Sequence, residues 1–380
     1  MVNKEAVIIG GGITGCATAY HLARYGLKDV AVVERGYLTS GATGRCGAGF
    51  RHQWSTEANC LLAKYAIARL MGLAEELDFA RGLEIKTGGY LILAHTEEEA
   101  AQFQKNVALQ NRLDIDSRWV SPAEARAIAP PLNTAGLVGG TFCDRDGHAN
   151  PFLTTLAYAQ AAARLGAEIL PYTEVRDIKV TGGLKTVVTS GDTYRTPVVV
   201  DAAGGEAAKI AAMVGASLPV YPVRHQILVT EPVEPALDPM ILSFHRHLYC
   251  QQTPHGSFIM GLGDPNEPPG MNINPGWRFL REMAQKATAL LPALARVHVV
   301  RQWAGVYDMS PDSQPILDQL PEVPGFYVAA GFSGHGFMIA PLTGELMAQL
   351  ILGLPATLPM EMFSLSRFAG RPLQMEASVV

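Results

Sequence analysis

The stretch Ala6-Val-Ile-Ile-Gly10-Gly-Gly12-Ile-Thr-Gly15 decides the fold. Its four apolar residues read as a strand buried on both faces of a parallel sheet. Three glycines follow at Gly-x-Gly-x-x-Gly spacing, each with its own task. Gly10 allows a tight turn, Gly12 lets the backbone approach a pyrophosphate, and Gly15 lets the next helix pack close to the strand. Cys16 to Arg24 reads as that helix, stopped at Gly26. Its N-terminus turns free N–H groups toward the phosphates. A second apolar strand, Val30-Ala-Val-Val33, ends at Glu34. An acid there, about 20 residues past the glycines, accepts the ribose hydroxyls of an adenosine. The whole is one βαβ unit shaped for a dinucleotide.

Beyond it the pattern of consecutive βα units breaks. Gly36 to Gly49 is a glycine-rich loop, Ser40-Gly-Ala-Thr43-Gly-Arg45-Cys-Gly-Ala-Gly49, followed by an amphipathic helix from Glu57 to Phe79. Asn150 and Pro151 suit the cap and first position of an Ala-rich helix running to Leu165, where Gly166 stops it. Pro197-Val-Val-Val200-Asp-Ala-Ala-Gly204 and Gly325-Phe-Tyr-Val-Ala-Ala330 read as further buried strands, and a last helix is expected over Leu342 to Leu352. Two stretches between these pieces are mixed, with strands such as Tyr90-Leu-Ile-Leu93, Gln226-Ile-Leu-Val229 and Ser257-Phe-Ile-Met260. The expected class is α/β with an α+β second domain. A Rossmann-like FAD-binding domain is built from 1–82, 139–216 and 299–380, and a mixed-sheet substrate domain from 83–138 and 217–298. Such a discontinuous assembly suits a flavin enzyme, in which several chain segments close over an extended FAD.

Composition removes other classes. The 380 residues carry a net charge of −5, with no block of Lys/Arg to serve as a nucleic-acid footprint. Five Cys are scattered without a Cys-x-x-Cys pair, so a zinc ribbon or iron–sulfur site lacks local ligands and no metal is expected. No apolar run of about 18 residues is present to span a bilayer. The expected location is cytoplasmic, which is compatible with peripheral contact at the cytoplasmic membrane face. There is no His-Glu-x-x-His, Walker lysine or Gly-x-Ser-x-Gly motif, and Glu97-Glu-Glu99 reads as a solvated helix face.

The dinucleotide motif, Glu34 and the terminal Gly331-Phe-Ser-Gly-His-Gly-Phe-Met338 together resemble FAD-dependent oxidoreductases of the D-amino-acid oxidase type. Within that group, Arg45-Cys-Gly-Ala-Gly-Phe-Arg51-His-Gln-Trp-Ser-Thr-Glu-Ala-Asn59 looks like the β subunit of dye-linked L-proline dehydrogenases, with sarcosine oxidase as a wider relative. The resemblance implies one non-covalent FAD. Gly10, Gly12, Ile13, Thr14, Gly15, Glu34 and Arg35 would hold its ADP half, and Val175 would meet the adenine through backbone atoms. Ser40, Thr43, Gly44, Arg45 and Cys46 would lie under the pyrophosphate and flavin. Gly204, Gly305, Gly334, His335, Gly336, Phe337 and Met338 would close over the ring, with His335 acting through its backbone. A second flavin, FMN, at a subunit interface stays open but is not predicted, since Asn150 or Pro151 stands where some relatives carry the attachment histidine.

Met338 replaces a lysine that sarcosine oxidases use for the substrate carboxylate, so another cation is needed. Arg51 is the first candidate, because a planar guanidinium pairs bidentately with a carboxylate; the alternative is a surface loop arginine. Tyr249 either bonds the carboxylate or is an ordinary core aromatic, and His52 either approaches the flavin or is structural. Arg224 and His225 are weaker candidates. The implied reaction is oxidation of the C–N bond of a small α-amino acid by hydride transfer to flavin N5, with no obligatory general base. Electrons then pass to a dye or quinone-type acceptor or to O2. The alternative is an FAD-bearing relay subunit with a degenerate pocket. Further subunits or a homo-oligomer fit either.

Overall fold

The computed structural model describes residues 1–370 and 372–378. Ala6–Ile9 is buried at every position because it is an inner strand of a six-stranded sheet. The order is Glu168–Leu170, Val30–Val33, Ala6–Ile9, Val198–Asp201, Phe326–Ala330 and Ile316–Gln319. All neighbours are parallel except the last pair. Alternate side chains enter two different cores. Ala6 and Ile8 pack with the helices Ile13–Arg24, Glu57–Glu76, Pro151–Arg164 and Gly336–Leu352, whereas Val7 and Ile9 pack with Val175–Thr181, Leu184–Thr189 and Ala207–Ala212. A strand covered on both faces needs an unbroken apolar run, and this one has it.

The expected helix boundaries hold where a cap fixes them. Asn150 accepts from the N–H groups of Phe152 and Leu153 at 3.0 and 3.1 Å, and Pro151 opens the helix. Two helices start earlier than expected: the first begins at Ile13, not Cys16, and the last begins at Gly336, not Leu342, and keeps Pro341 inside. Phe337 to Ala340 are all buried, and that packing outweighs the missing N–H bond.

A second sheet has eight strands, in the order Val299–Met309, Tyr221–Pro232, Ser257–Leu262, Leu248–Gln252, Met240–Ser243, Tyr90–Ala94, Gly139–Cys143 and Arg118–Val120. The parallel pairing of Met240 with Tyr90 joins the two inserted stretches of chain. Gly139–Cys143 and Val299–Met309, which the sequence division gives to the FAD-binding pieces, hydrogen-bond into this second sheet. From Val299–Met309 the chain passes to Ile316–Gln319 of the first sheet, and the Asp308 carboxylate ties the two by accepting the Gly331 N–H at 2.8 Å. Leu91 and Leu93 face the helix Trp277–Leu290, while Tyr90, Ile92, Met240, Leu242 and Tyr249 share the opposite core. That second face meets the cofactor-binding layers, and the site lies between them. Among the described residues no helix is long and apolar enough to cross a membrane.

Candidate active site

A groove of about 400 Å³ runs along the strand ends of the first sheet. Gly10 sits at φ 117°, and a Cβ there would lie 2.3 Å from the Ala202 carbonyl oxygen. A Cβ on Gly15 would lie 2.0 Å from the Gly10 oxygen, so helix and strand touch as the motif requires. A Cβ on Gly12 would meet only the Thr43 hydroxyl, at 3.1 Å, which leaves the space in front of the helix free for a ligand. Gly12 offers that helix no side-chain cap; Ile13 N–H donates to the Thr43 hydroxyl at 3.2 Å, which leaves the N–H groups of Thr14 and Gly15 for an anion. Glu34 is fixed at the groove edge: it accepts from Gly11 N–H at 2.8 Å, Gly36 N–H at 2.7 Å and the Ser40 hydroxyl at 3.1 Å. Arg45 donates to the carbonyls of Ser40 and Ala304, both at 3.1 Å, and so ties the loop to the second sheet.

Ile13, Thr14, Arg35, Thr43, Cys46, Val175, Gly204, Gly305, Gly334, Gly336 and Phe337 line the groove together with Gly10, Gly12, Glu34, Ser40 and Arg45. Gly15 lies beneath it, and Gly44 is turned inward, donating to the Thr39 carbonyl at 3.0 Å. His335 and Met338 line not the groove but a smaller cavity of about 80 Å³ at its end. Cys46, Tyr249, Tyr307, Gly334 and Phe337 border both spaces, so the cavity opens where the groove finishes.

Arg51 lines this cavity although it is only 5% exposed. Its guanidinium lies 3.6 Å over the Trp54 ring and donates to the main-chain carbonyls of Gln53 and Ser378. Among the described residues no carboxylate is within ion-pair distance of it. Burial pulls its pKa down from the ordinary arginine value, and the charges of the more distant Glu376 and Asp146 offset only part of that. Asp146 holds the loop that bears it, accepting from the His52 N–H and ring Nδ1 at 2.7 Å each and from the Gln53 amide at 2.9 Å. The His52 ring is thereby kept out of both spaces.

Tyr249 and Tyr307 stand at the junction with His225 stacked beside them, ring centroids 5.6 and 4.4 Å away. Burial raises both phenol pKa values, so both stay protonated and can donate. Burial also pushes the imidazoles of His225 and His335 down to about 4, and both are neutral at pH 7. The His335 ring packs against Trp54, centroids 4.7 Å apart, and both its nitrogens are buried without a hydrogen-bond partner. Arg224 is engaged elsewhere, paired through two bonds of 2.9 Å with Glu267. Tyr307, Tyr90, Trp54, Met240 and Leu242 line the cavity and were missed from sequence. Only Tyr307 carried a signal, lying two residues beyond Gly305 and hence on the same strand face.

A family model described as FAD dependent oxidoreductase, DAO, matches residues 5–350. The chain belongs to this family. FAD is its cofactor, and the groove fits it: glycine cradle, a helix N-terminus with the Thr14 and Gly15 N–H groups left over, an acid at one end and aromatic side chains at the other. The family member is 30% identical to the sarcosine oxidase subunit beta of Rhodobacter capsulatus over 96% of this chain and 88% of that protein. It is also 30% identical to the glycine oxidase of Geobacillus kaustophilus, over 97% of this chain and 98% of that one. Among solved structures, the L-proline dehydrogenase from P. horikoshii superposes with a TM-score of 0.92 at 36% identity, covering 98% of this chain and 99% of that chain.

Proposed function

We propose that this oxidoreductase oxidises the C–N bond of a small α-amino acid held by its carboxylate on Arg51, and passes the electrons to a dye or quinone-type acceptor or to O2. Bound FAD supplies the acceptor for the hydride leaving the α-carbon. The observation that carries the reading is the buried guanidinium in a cavity that opens onto the cofactor groove, with no carboxylate beside it among the described residues. A buried charge is costly unless paired, and a substrate carboxylate would supply the missing partner. The neighbouring groups are suited to the rest. Tyr249 and Tyr307 remain hydrogen-bond donors, and the two buried imidazoles carry no charge that would compete with Arg51. The cavity, about 80 Å³ against 400 Å³ for the groove, favours a small substrate of the sarcosine, glycine or proline kind. Relatives named as subunits support assembly with further chains.

Replacing Arg51 tests this. Arg51→Ala should cost on the order of 2–5 kcal/mol in kcat/KM for an amino acid, as for truncating one partner of a buried charge pair. The decarboxylated amine should be affected far less, and Arg51→Lys should recover only part, because a point charge cannot make two parallel bonds. FAD content should not change, since Arg51 borders the cavity and not the groove. An intact preference for acid over amine in Arg51→Ala would place the carboxylate elsewhere.

A further inference from the structure

Glu376 lies far from Arg51 in sequence and is only 3% exposed. Its carboxylate is saturated with donors from the start of the helix Glu57–Glu76. It accepts from Ser55 N–H at 3.2 Å, Thr56 N–H at 3.1 Å, the Thr56 hydroxyl at 2.8 Å and the Asn59 amide at 3.1 Å, and also from the Ser55 hydroxyl. Ser378 N–H folds back onto the same carboxylate at 2.9 Å. The Glu376 N–H in turn donates to the Asp312 carbonyl at 3.1 Å, and the Gln314 amide holds the Gln374 carbonyl at 2.6 Å. Segment 372–378 is therefore latched at several points, and it presents the Ser378 carbonyl to the Arg51 guanidinium.

This matters because Arg51 has few restraints of its own. It has the Trp54 face, the Gln53 carbonyl and the Ser378 carbonyl, and the last is supplied by a remote part of the chain. Six donors on one buried carboxylate are more than a surface strap needs. Charge-assisted bonds of this kind are the strong ones, and they hold a segment in a single geometry.

We propose that Glu376 is a positioning residue for the substrate anchor: by latching segment 372–378 it fixes the Ser378 carbonyl, and through it the direction in which Arg51 offers its free donors to a carboxylate. The proposal rests on the reading of Arg51 given above. It assigns Glu376 to carboxylate binding and to no chemical step.

The test uses the oxidised FAD-loaded protein and acetate, a carboxylate with no amine, followed by the change in flavin absorbance on binding. Glu376→Ala should weaken acetate at least tenfold and raise KM for sarcosine, glycine or L-proline by a similar factor. Turnover at saturation should stay within twofold, and FAD content should stay at one per chain. Pyrrolidine, which lacks the carboxylate of proline, should be unaffected. Glu376→Gln should recover part of the loss, because an amide keeps one acceptor oxygen. Ser55→Ala removes only one hydroxyl donor and should shift acetate in the same direction by a smaller factor, which keeps the test informative if Glu376→Ala does not fold. Should acetate affinity be lost in Arg51→Ala but unchanged in Ser55→Ala and in folded Glu376→Ala or Glu376→Gln, the latch has no such role and the Arg51 reading survives. Should Arg51→Ala bind acetate as the unaltered protein does, that reading falls and the proposal with it.

Discussion

Around the groove the groups placed to meet a cofactor include much backbone: the turn Gly10–Gly12, the helix start at Ile13 to Gly15 and the glycines at 204, 305, 334 and 336. Around the cavity they are side chains, Arg51, Trp54, Tyr90, Tyr249 and Tyr307, brought from separate strands and loops. A backbone site tolerates nothing added, because its shape is the ligand's shape. A side-chain site tolerates exchange, because the frame stays while the chemistry facing the substrate changes. One family can thus keep a cofactor and vary its substrate.

The contrast can be broken or sharpened by substitution. Gly15→Ala places a methyl group 2.0 Å from the Gly10 oxygen, a backbone neighbour that cannot swing away. Overpacking of this kind costs typically about 3 kcal/mol at the upper end, and the expected outcome is protein with lowered thermal stability that purifies without stoichiometric FAD. Normal FAD content and melting temperature would show the groove to be more elastic than described. Glu34→Gln keeps the shape and removes the charge. It should weaken FAD binding by about 1–3 kcal/mol, read as flavin released on dilution, with substrate preference unaltered in the reloaded protein. Tyr307→Phe lies on the other side of the comparison. Losing one hydroxyl donor should cost about 1 kcal/mol in kcat/KM, and FAD should be retained. Loss of FAD from this variant would mean that the junction belongs to the groove.

The same contrast explains what could be read from the sequence. Gly10, Gly12, Gly15 and Glu34 were legible because backbone demands leave glycines and an acid at fixed spacing. The Asn150 cap with Pro151 was legible for the same local reason. The start of the last helix was not, since Pro341 is a stop signal that only the burial of Phe337 to Ala340 overrides. Nor could the cavity wall be assembled in advance. Tyr90 and Met240 are partners across one parallel strand pair that joins two distant insertions. His52 has the spacing of a site residue beside Arg51, yet Asp146 turns its ring away. Gly334, at φ 93° with a Cβ position 2.5 Å from the Tyr307 ring, shows the two designs meeting: a backbone constraint shaped by a side chain that periodicity alone hinted at.

The most direct test of the central claim is anaerobic reduction of the bound flavin, in protein expressed alone, by sarcosine, glycine and L-proline beside dimethylamine, methylamine and pyrrolidine. The account predicts that at least one amino acid bleaches the oxidised flavin spectrum completely while its decarboxylated counterpart does so far more slowly. A flavin that dithionite reduces but that no amino acid in the panel bleaches would contradict it, and would leave an FAD-bearing relay subunit as the reading that stands.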